Sequence, residues 1–336
     1  MITTVECCGW EVVRLRSGRV EVDVLPGKGG DVLAVRWLPL DVDVLWSTPW
    51  GLRPKGALPS GGDSKAHWLE NYPGGWQTIF PNGGDASAIG GVEQGFHGEA
   101  SLVPWGWEPV VDGDRSSTIQ MRTRLSRSPF ELVRRISVTD AGLDVVETVR
   151  NVGGVGLDVM WSHHPAFGAP FVSGDSLIES GASWFEADDS RHGPHNDLAA
   201  GARSAWPHAA GRGGGSVDLS RVPGSDERLE RFGYLGGFDR AWAAITNPVM
   251  GLRAELSWDG STMPHAWLWV EAHATDDHPW FADAYVVAIE PATSYPGQGA
   301  AKARAASTLL RVEPGEERTA HTNLELTDLP DVGRPA

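Results

Sequence analysis

The chain has 336 residues, 44 acidic against 28 basic, and a formal net charge of −16. An acidic surface repels nucleic acid and anionic lipid, which excludes both as expected partners. No stretch approaches the ~20 apolar residues needed to span a bilayer, and Met1 to Trp10 lacks a basic region followed by an apolar one, so no secretory signal is read and a cytoplasmic location is expected.

In chain order, Val20, Val22 and Val24 alternate with Glu21 and Asp23, the pattern of a half-buried strand. Pro26 to Gly30 reads as a turn, and Asp31 to Trp37 as the return strand. Residues 47–76 carry Trp50, Trp68 and Trp76 among Gly, Pro and Ser with little periodicity, and read as a functional loop or lid. His97 follows between Gly95 and Gly98, which let a backbone approach a ligand closely.

Residues 107–150 read as a β meander, with Arg122, Arg124, Arg127, Arg134 and Arg135 on a solvated sheet face. Residues 155–161 return as a strand that runs into Ser162-His163-His164-Pro165, where the proline is expected to stop the pairing. Residues 172–235 are the least regular part; His192, His195 and His208 read as surface histidines, and Ser225 to Tyr234 as a short helix. Leu252 to Trp258 alternates, Asp259-Gly260 is a hairpin signal, and His265 to Glu271 places Trp267, Trp269 and Glu271 on one face. Thr308 to Val312, a Pro314-Gly315 turn and Thr319 to Leu326 read as a closing hairpin.

The absence of any long helical period excludes doubly wound and barrel α/β folds. High Gly and Pro counts, 42 and 23, suit a turn-rich all-β protein, expected as one domain over 1–336. Cys7 and Cys8 are adjacent and have no second pair, so neither a disulfide framework nor a cysteine zinc site is implied. Sixteen tryptophans are many for this length; an indole face packs well on the C–H face of a sugar ring, so some are expected to line a cleft.

The candidate chemistry centres on Glu290. Tyr285 to Ile289 is a nearly unbroken apolar strand, and Glu290 stands at its end before Pro291, which is expected to end the pairing. A carboxylate at the mouth of such a strand must be hydrogen-bonded, paired or open to a ligand. With His97-Gly98 and His163-His164-Pro165-Ala166-Phe167-Gly168 upstream, it completes a minimal set for acid/base work on a neutral molecule. Side chains alternate along a strand, so only one of His163 and His164 can enter a shared pocket.

With these motifs the chain resembles the aldose 1-epimerase (galactose mutarotase) superfamily over about residues 19–326. His97-Gly98 resembles the family's first His-Gly motif, His164-Pro165-Ala166-Phe167 its His-x-x-Phe motif, and Ile289-Glu290-Pro291 its base-bearing strand. Phe238-Asp239 sits where the family has a substrate-binding aspartate, and Leu45-Trp46 and Thr48-Pro49-Trp50 also resemble family members. The resemblance implies a large antiparallel β supersandwich with few or no helices, and interconversion of α and β sugar anomers without metal or cofactor. It implies Glu290 as base and His164 as acid. His97, Asp239 and Asn82 would hold the sugar, and Trp76 or Trp267 would stack on its ring. The expected partner is a small sugar, and the expected state a monomer or homodimer. Three departures stand out: Gly83 follows Pro81-Asn82 where the family has arginine, Glu99 follows His97-Gly98 where an apolar residue is commoner, and Phe167-Gly168-Ala169 stands where the second motif ends Phe-Asn-Leu. The alternatives are a hexose-6-phosphate 1-epimerase of the same superfamily, a non-catalytic carbohydrate-binding protein, and a metal-dependent hydrolase or isomerase using the histidines.

Overall fold

Strands dominate because β-branched and aromatic residues alternate with polar ones along most of the chain. The computed structural model describes residues 1–58 and 60–330; residue 59 and residues 331–336 of the expected domain span lie outside it. A 12-stranded and an 8-stranded antiparallel sheet carry most of the chain. The smaller sheet contains the expected meander, Gly106–Asp112, Ser116–Arg124, Phe130–Thr139 and Gly142–Asn151, each pairing with the next. One apolar cluster takes in residues of both sheets, among them Val22 and Trp37 of the larger and Ile136, Val145 and Leu324 of the smaller, so the sheets bury one face against each other. The architecture is the all-β supersandwich, and it begins earlier than expected: Ile2–Cys7 and Trp10–Arg16 already belong to the larger sheet.

Several local expectations are corrected. Two short helices occur among the described residues. Ser64–Glu70 lies inside the stretch read as irregular, with Asp63 Oδ1 accepting from the Ala66 N–H at 2.8 Å as its N-cap. Ala300–Ala305, built mostly of alanine, is the second. Seven and six residues are too few to show a helical period. The helix expected at Ser225 to Tyr234 is instead the strand Leu229–Gly236, claimed by pairing with His265–Ala272. Asp259-Gly260 joins strands of different sheets rather than a hairpin. Leu310–Val312 pairs with Leu157–Val159, and Glu317–Asp328 with Gly142–Asn151 and Leu252–Trp258, so the closing hairpin does not form. Arg134 is fully buried and ion-paired with Glu147 at 2.7 Å, whereas Arg122, Arg124, Arg127 and Arg135 are exposed as expected.

Pro165 and Pro291 do not end their strands. Each lies inside one, Ser162–Gly168 and Tyr285–Ala292, because proline's fixed φ is compatible with extended backbone. Their effect is on the ladder between these neighbouring strands. Register partners are Ser162 with Ala292 and Ala166 with Ala288, and the positions between carry no ladder pairs. The missing proline N–H groups account for that gap. No helix among the described residues is long and apolar enough to cross a membrane.

Candidate active site

The ladder gap puts His164 directly opposite Glu290, midway between the two flanking register pairs. Cross-strand partners share a face of the sheet. The same face continues through Gln77, opposite His164 on one side, and through Trp267, Tyr234 and Glu186, each opposite the last, on the other. This face of the larger sheet points away from the smaller one. Helix Ser64–Glu70, the segment 275–280 and the loop at 188–191 rise around it and enclose a cavity of about 430 Å³.

His163 points to the other face. Its Nδ1 accepts from Trp76 Nε1 at 2.9 Å, and its Nε2 lies 4.0 Å from Glu147, which also accepts from Trp161 and Thr78 and pairs with Arg134. That is a polar cluster between the sheets, so the alternation leaves His164 as the histidine of this pair in the cavity.

Glu290 is 2% exposed, and its Oε1 lies 3.6 Å from His164 Nε2. Its Oε2 has no hydrogen-bond partner among the described residues. Burial pushes the carboxyl well above its usual range, with the charge of Arg191 opposing that shift. Burial lowers His164 to about 4. Tyr72 Oη lies 3.4 Å from His164 Nδ1, and burial keeps the phenol protonated. With Tyr72 as donor to Nδ1, the imidazole proton sits on Nε2, facing Glu290.

His97 also lines the cavity, its ring centroid 5.9 Å from that of His164. The Gly84 N–H donates to His97 Nδ1 at 3.1 Å, which places the ring proton on Nε2. Its backbone has φ +57°, a conformation seldom held by a non-glycine residue unless its surroundings demand it. Gly98 makes the turn possible: a Cβ there would lie 2.4 Å from the Phe80 carbonyl oxygen. Glu99 serves this loop, accepting from the Ser126 and Arg127 N–H groups and from Ser128 Oγ.

The remaining expected site residues divide. Trp267 lines the cavity, but it is 1% exposed, donates to the Ser294 carbonyl at 2.8 Å and lies against the backbones of Gly83 and Gly297. Trp76 is outside the cavity, beside His163 between the sheets, so it cannot stack on a ligand there. Asn82 is fully buried and committed to the Asp85 and Gly95 carbonyls and the Ala300 N–H, which ties three loops together. Asp239 is exposed and absent from the cavity wall.

Sequence reasoning missed Trp68, Tyr72, Asp188, Arg191 and Gln298. Tyr234 Oη donates to Asp188 and accepts from the Gly297 N–H at 2.9 Å, and Gln298 Nε2 donates to Asp188 at 2.9 Å. This network pins the loop after the Glu290 strand. Trp68 stacks on Tyr72 at 4.8 Å. The register of Tyr234 opposite Trp267 would have exposed part of this group, but register is not written in one strand. The arrangement offers a buried carboxyl and imidazole side by side, and a second histidine, His97, presenting a fixed N–H donor. Among the described residues no three His, Cys, Asp or Glu side chains converge as a metal site requires.

A family model described as "Domain of unknown function (DUF4432)" matches residues 8–326. No curated protein matches the sequence. Among solved structures, the chain is similar to a galactose mutarotase-like protein from Clostridium acetobutylicum, at 16% identity, TM-score 0.68 and coverage of 98% of this chain and 99% of that one. It is similar to a protein from Klebsiella pneumoniae named as a candidate aldose 1-epimerase, at 15% identity, TM-score 0.70 and coverage of 95% and 79%. It is also similar to a galactose mutarotase related enzyme from Lactobacillus acidophilus, at 15% identity, TM-score 0.61 and coverage of 98% and 99%. At such identities the likeness speaks for the fold. The chain therefore belongs to the DUF4432 family, a domain of unknown function, carried on a galactose mutarotase-like β supersandwich.

Proposed function

We propose that this protein interconverts the α and β anomers of a sugar by acid/base ring opening, with Glu290 as base and His164 as acid. The observation that carries the reading is the register-enforced pair, Glu290 Oε1 3.6 Å from His164 Nε2, both buried at the floor of a cavity. The two oxygens that exchange protons, the C1 hydroxyl and the ring oxygen, are bonded to the same carbon. Their partners must therefore stand a few ångströms apart, as these two do.

In the forward step Glu290 takes the proton of the C1 hydroxyl while His164 gives one to the ring oxygen. The bond between C1 and the ring oxygen breaks and an open-chain aldehyde forms. Rotation about C1–C2 turns the other carbonyl face toward the ring hydroxyl. Reclosure returns the proton from Glu290 to the carbonyl oxygen and the ring hydroxyl's proton to His164. No proton is gained or lost overall. The opposed shifts, Glu290 up and His164 down, place the exchangeable proton on Glu290 before the sugar binds; the forward step starts with it on His164, Tyr72 Oη then accepting from Nδ1–H. His97 Nε2–H would hold an oxygen of the sugar, and Trp68 and Trp269 would supply the apolar wall.

The experiment is polarimetry of freshly dissolved α-sugars with wild type, Glu290→Gln and His164→Ala. Each positioned group is worth about 10²–10⁴-fold. Wild-type rates in both variants would remove the assignment. Sugar binding by calorimetry without any catalysed rotation would favour a carbohydrate-binding role.

A further inference from the structure

Resting on the anomer-interconverting reading, we infer that the sugar accepted here carries a single negative charge, a carboxylate seated between Arg191, Lys65 and the Nε2–H of His97.

The three groups line one cavity with His164 and Glu290. Arg191 lies over the Phe232 ring, 5.1 Å from its centroid, and spends one arm of its fork on Glu230 at 2.9 Å. The rest of the fork is open to a planar acceptor, the geometry a carboxylate matches best. Lys65 stands over the Phe96 ring at 5.5 Å and has no carboxylate partner among the described residues. The Gly84 N–H fixes the tautomer of His97, so its free Nε2–H adds a neutral donor. The fields of both cations reach His97, and that of Arg191 reaches Glu290.

Five acids besides Glu290 line the same wall. Asp188 is committed to Tyr234, Ser190 and Gln298. Glu271 is buried and accepts from the Ala274 and Thr275 N–H groups. Asp85 and Asp277 are exposed to solvent, as are Arg191 and Lys65, so screening weakens all four charges alike. Counted whole, the wall holds more carboxylates than cations, so the seat is made by the open fork of Arg191 beside Lys65 and not by net charge. Surrounding acids admit a monoanion more readily than a phosphate dianion.

The test is exchange NMR of anomer interconversion with the full chain, comparing glucuronate, galacturonate and mannuronate each with its parent hexose, and including glucose 6-phosphate. At least one uronate should exceed its hexose tenfold or more in kcat/KM. Arg191→Gln and Lys65→Gln should move that ratio toward one, and added salt should do the same for the Lys65 share. Hexoses turned over as fast as their uronates, a ratio unmoved in both variants, or a preference for the phosphate over every uronate would overturn the inference. If no sugar is turned over, calorimetry separates the two readings. Uronate binding weakened tenfold by Arg191→Gln keeps the anion seat and removes the reaction; no uronate binding removes the seat as well.

Discussion

The indole of Trp267 occupies the space that any side chain at position 83 would need: a Cβ on Gly83 would lie 2.7 Å from Trp267 Cη2. The departure noted after Pro81-Asn82 is thus one half of a pair of residues. At the position where the resembling family has an arginine, this chain has Gly83 with the Trp267 indole packed against it, and the cavity's cations, Arg191 and Lys65, arrive from other segments. Gly83→Ala should therefore cost about 1–3 kcal/mol by overpacking, read as a fall in thermal midpoint with a changed Trp emission. An unshifted midpoint would show the contact to be slack.

Glu290→Gln should abolish activity yet raise stability. The folded pKa of Glu290 is raised above its unfolded value, so its contribution is present below the ordinary 4.5 and is lost as the pH rises above it. The amide removes that loss. Thermal melts at pH 8 should put the variant above wild type, and a lower midpoint would contradict the buried-carboxyl account.

The histidines act with the opposite sign. His163, His164 and His265 are each lowered by burial from 6.5 to about 4. The unfolded chain binds protons more readily across that window. Stability is full above pH 6.5 and is lost as the pH falls from 6.5 toward 4. His265→Gln should make the fall in melting temperature over this range shallower, and an unaltered slope would exclude His265 as a contributor.

Tyr72→Phe tests the positioning of His164. Loss of the hydroxyl near Nδ1 frees the tautomer without emptying the cavity wall. If the proposed reaction holds, kcat should fall several-fold with little change in KM, and its pH profile should shift. Equal changes in kcat and KM would mean that Tyr72 acts by binding.

Glu147→Gln and Asp239→Ala separate structure from site. Glu147 and Arg134 are wholly buried between the sheets, and breaking such a pair costs about 3–5 kcal/mol. The folded fraction should remain active, because the pair lies on the far side of the sheet from the cavity. Asp239 is exposed and off the cavity wall, so its variant should turn over sugar within about twofold of wild type. A large loss there would place it at the site after all.

By itself the sequence determined the strand-rich architecture, because alternation along each strand is a local property read from one segment at a time. It also determined that Glu290, His164 and His97 deserve attention, since titratable groups beside apolar strands and glycine turns are visible in one dimension. It could not choose sides. Trp76 and His163 carry the same chemistry as residues that face the cavity, but alternation sends them between the sheets, and only the pairing of the strands around Pro165 and Pro291 fixes which face is which. Asn82 and Asp239 were misplaced for the same reason: loop residues take their partners from the fold, not from neighbours in sequence. Tertiary structure alone brought Tyr72, Asp188, Arg191 and Gln298 around one cavity, because the contacts that place them join segments up to 110 residues apart.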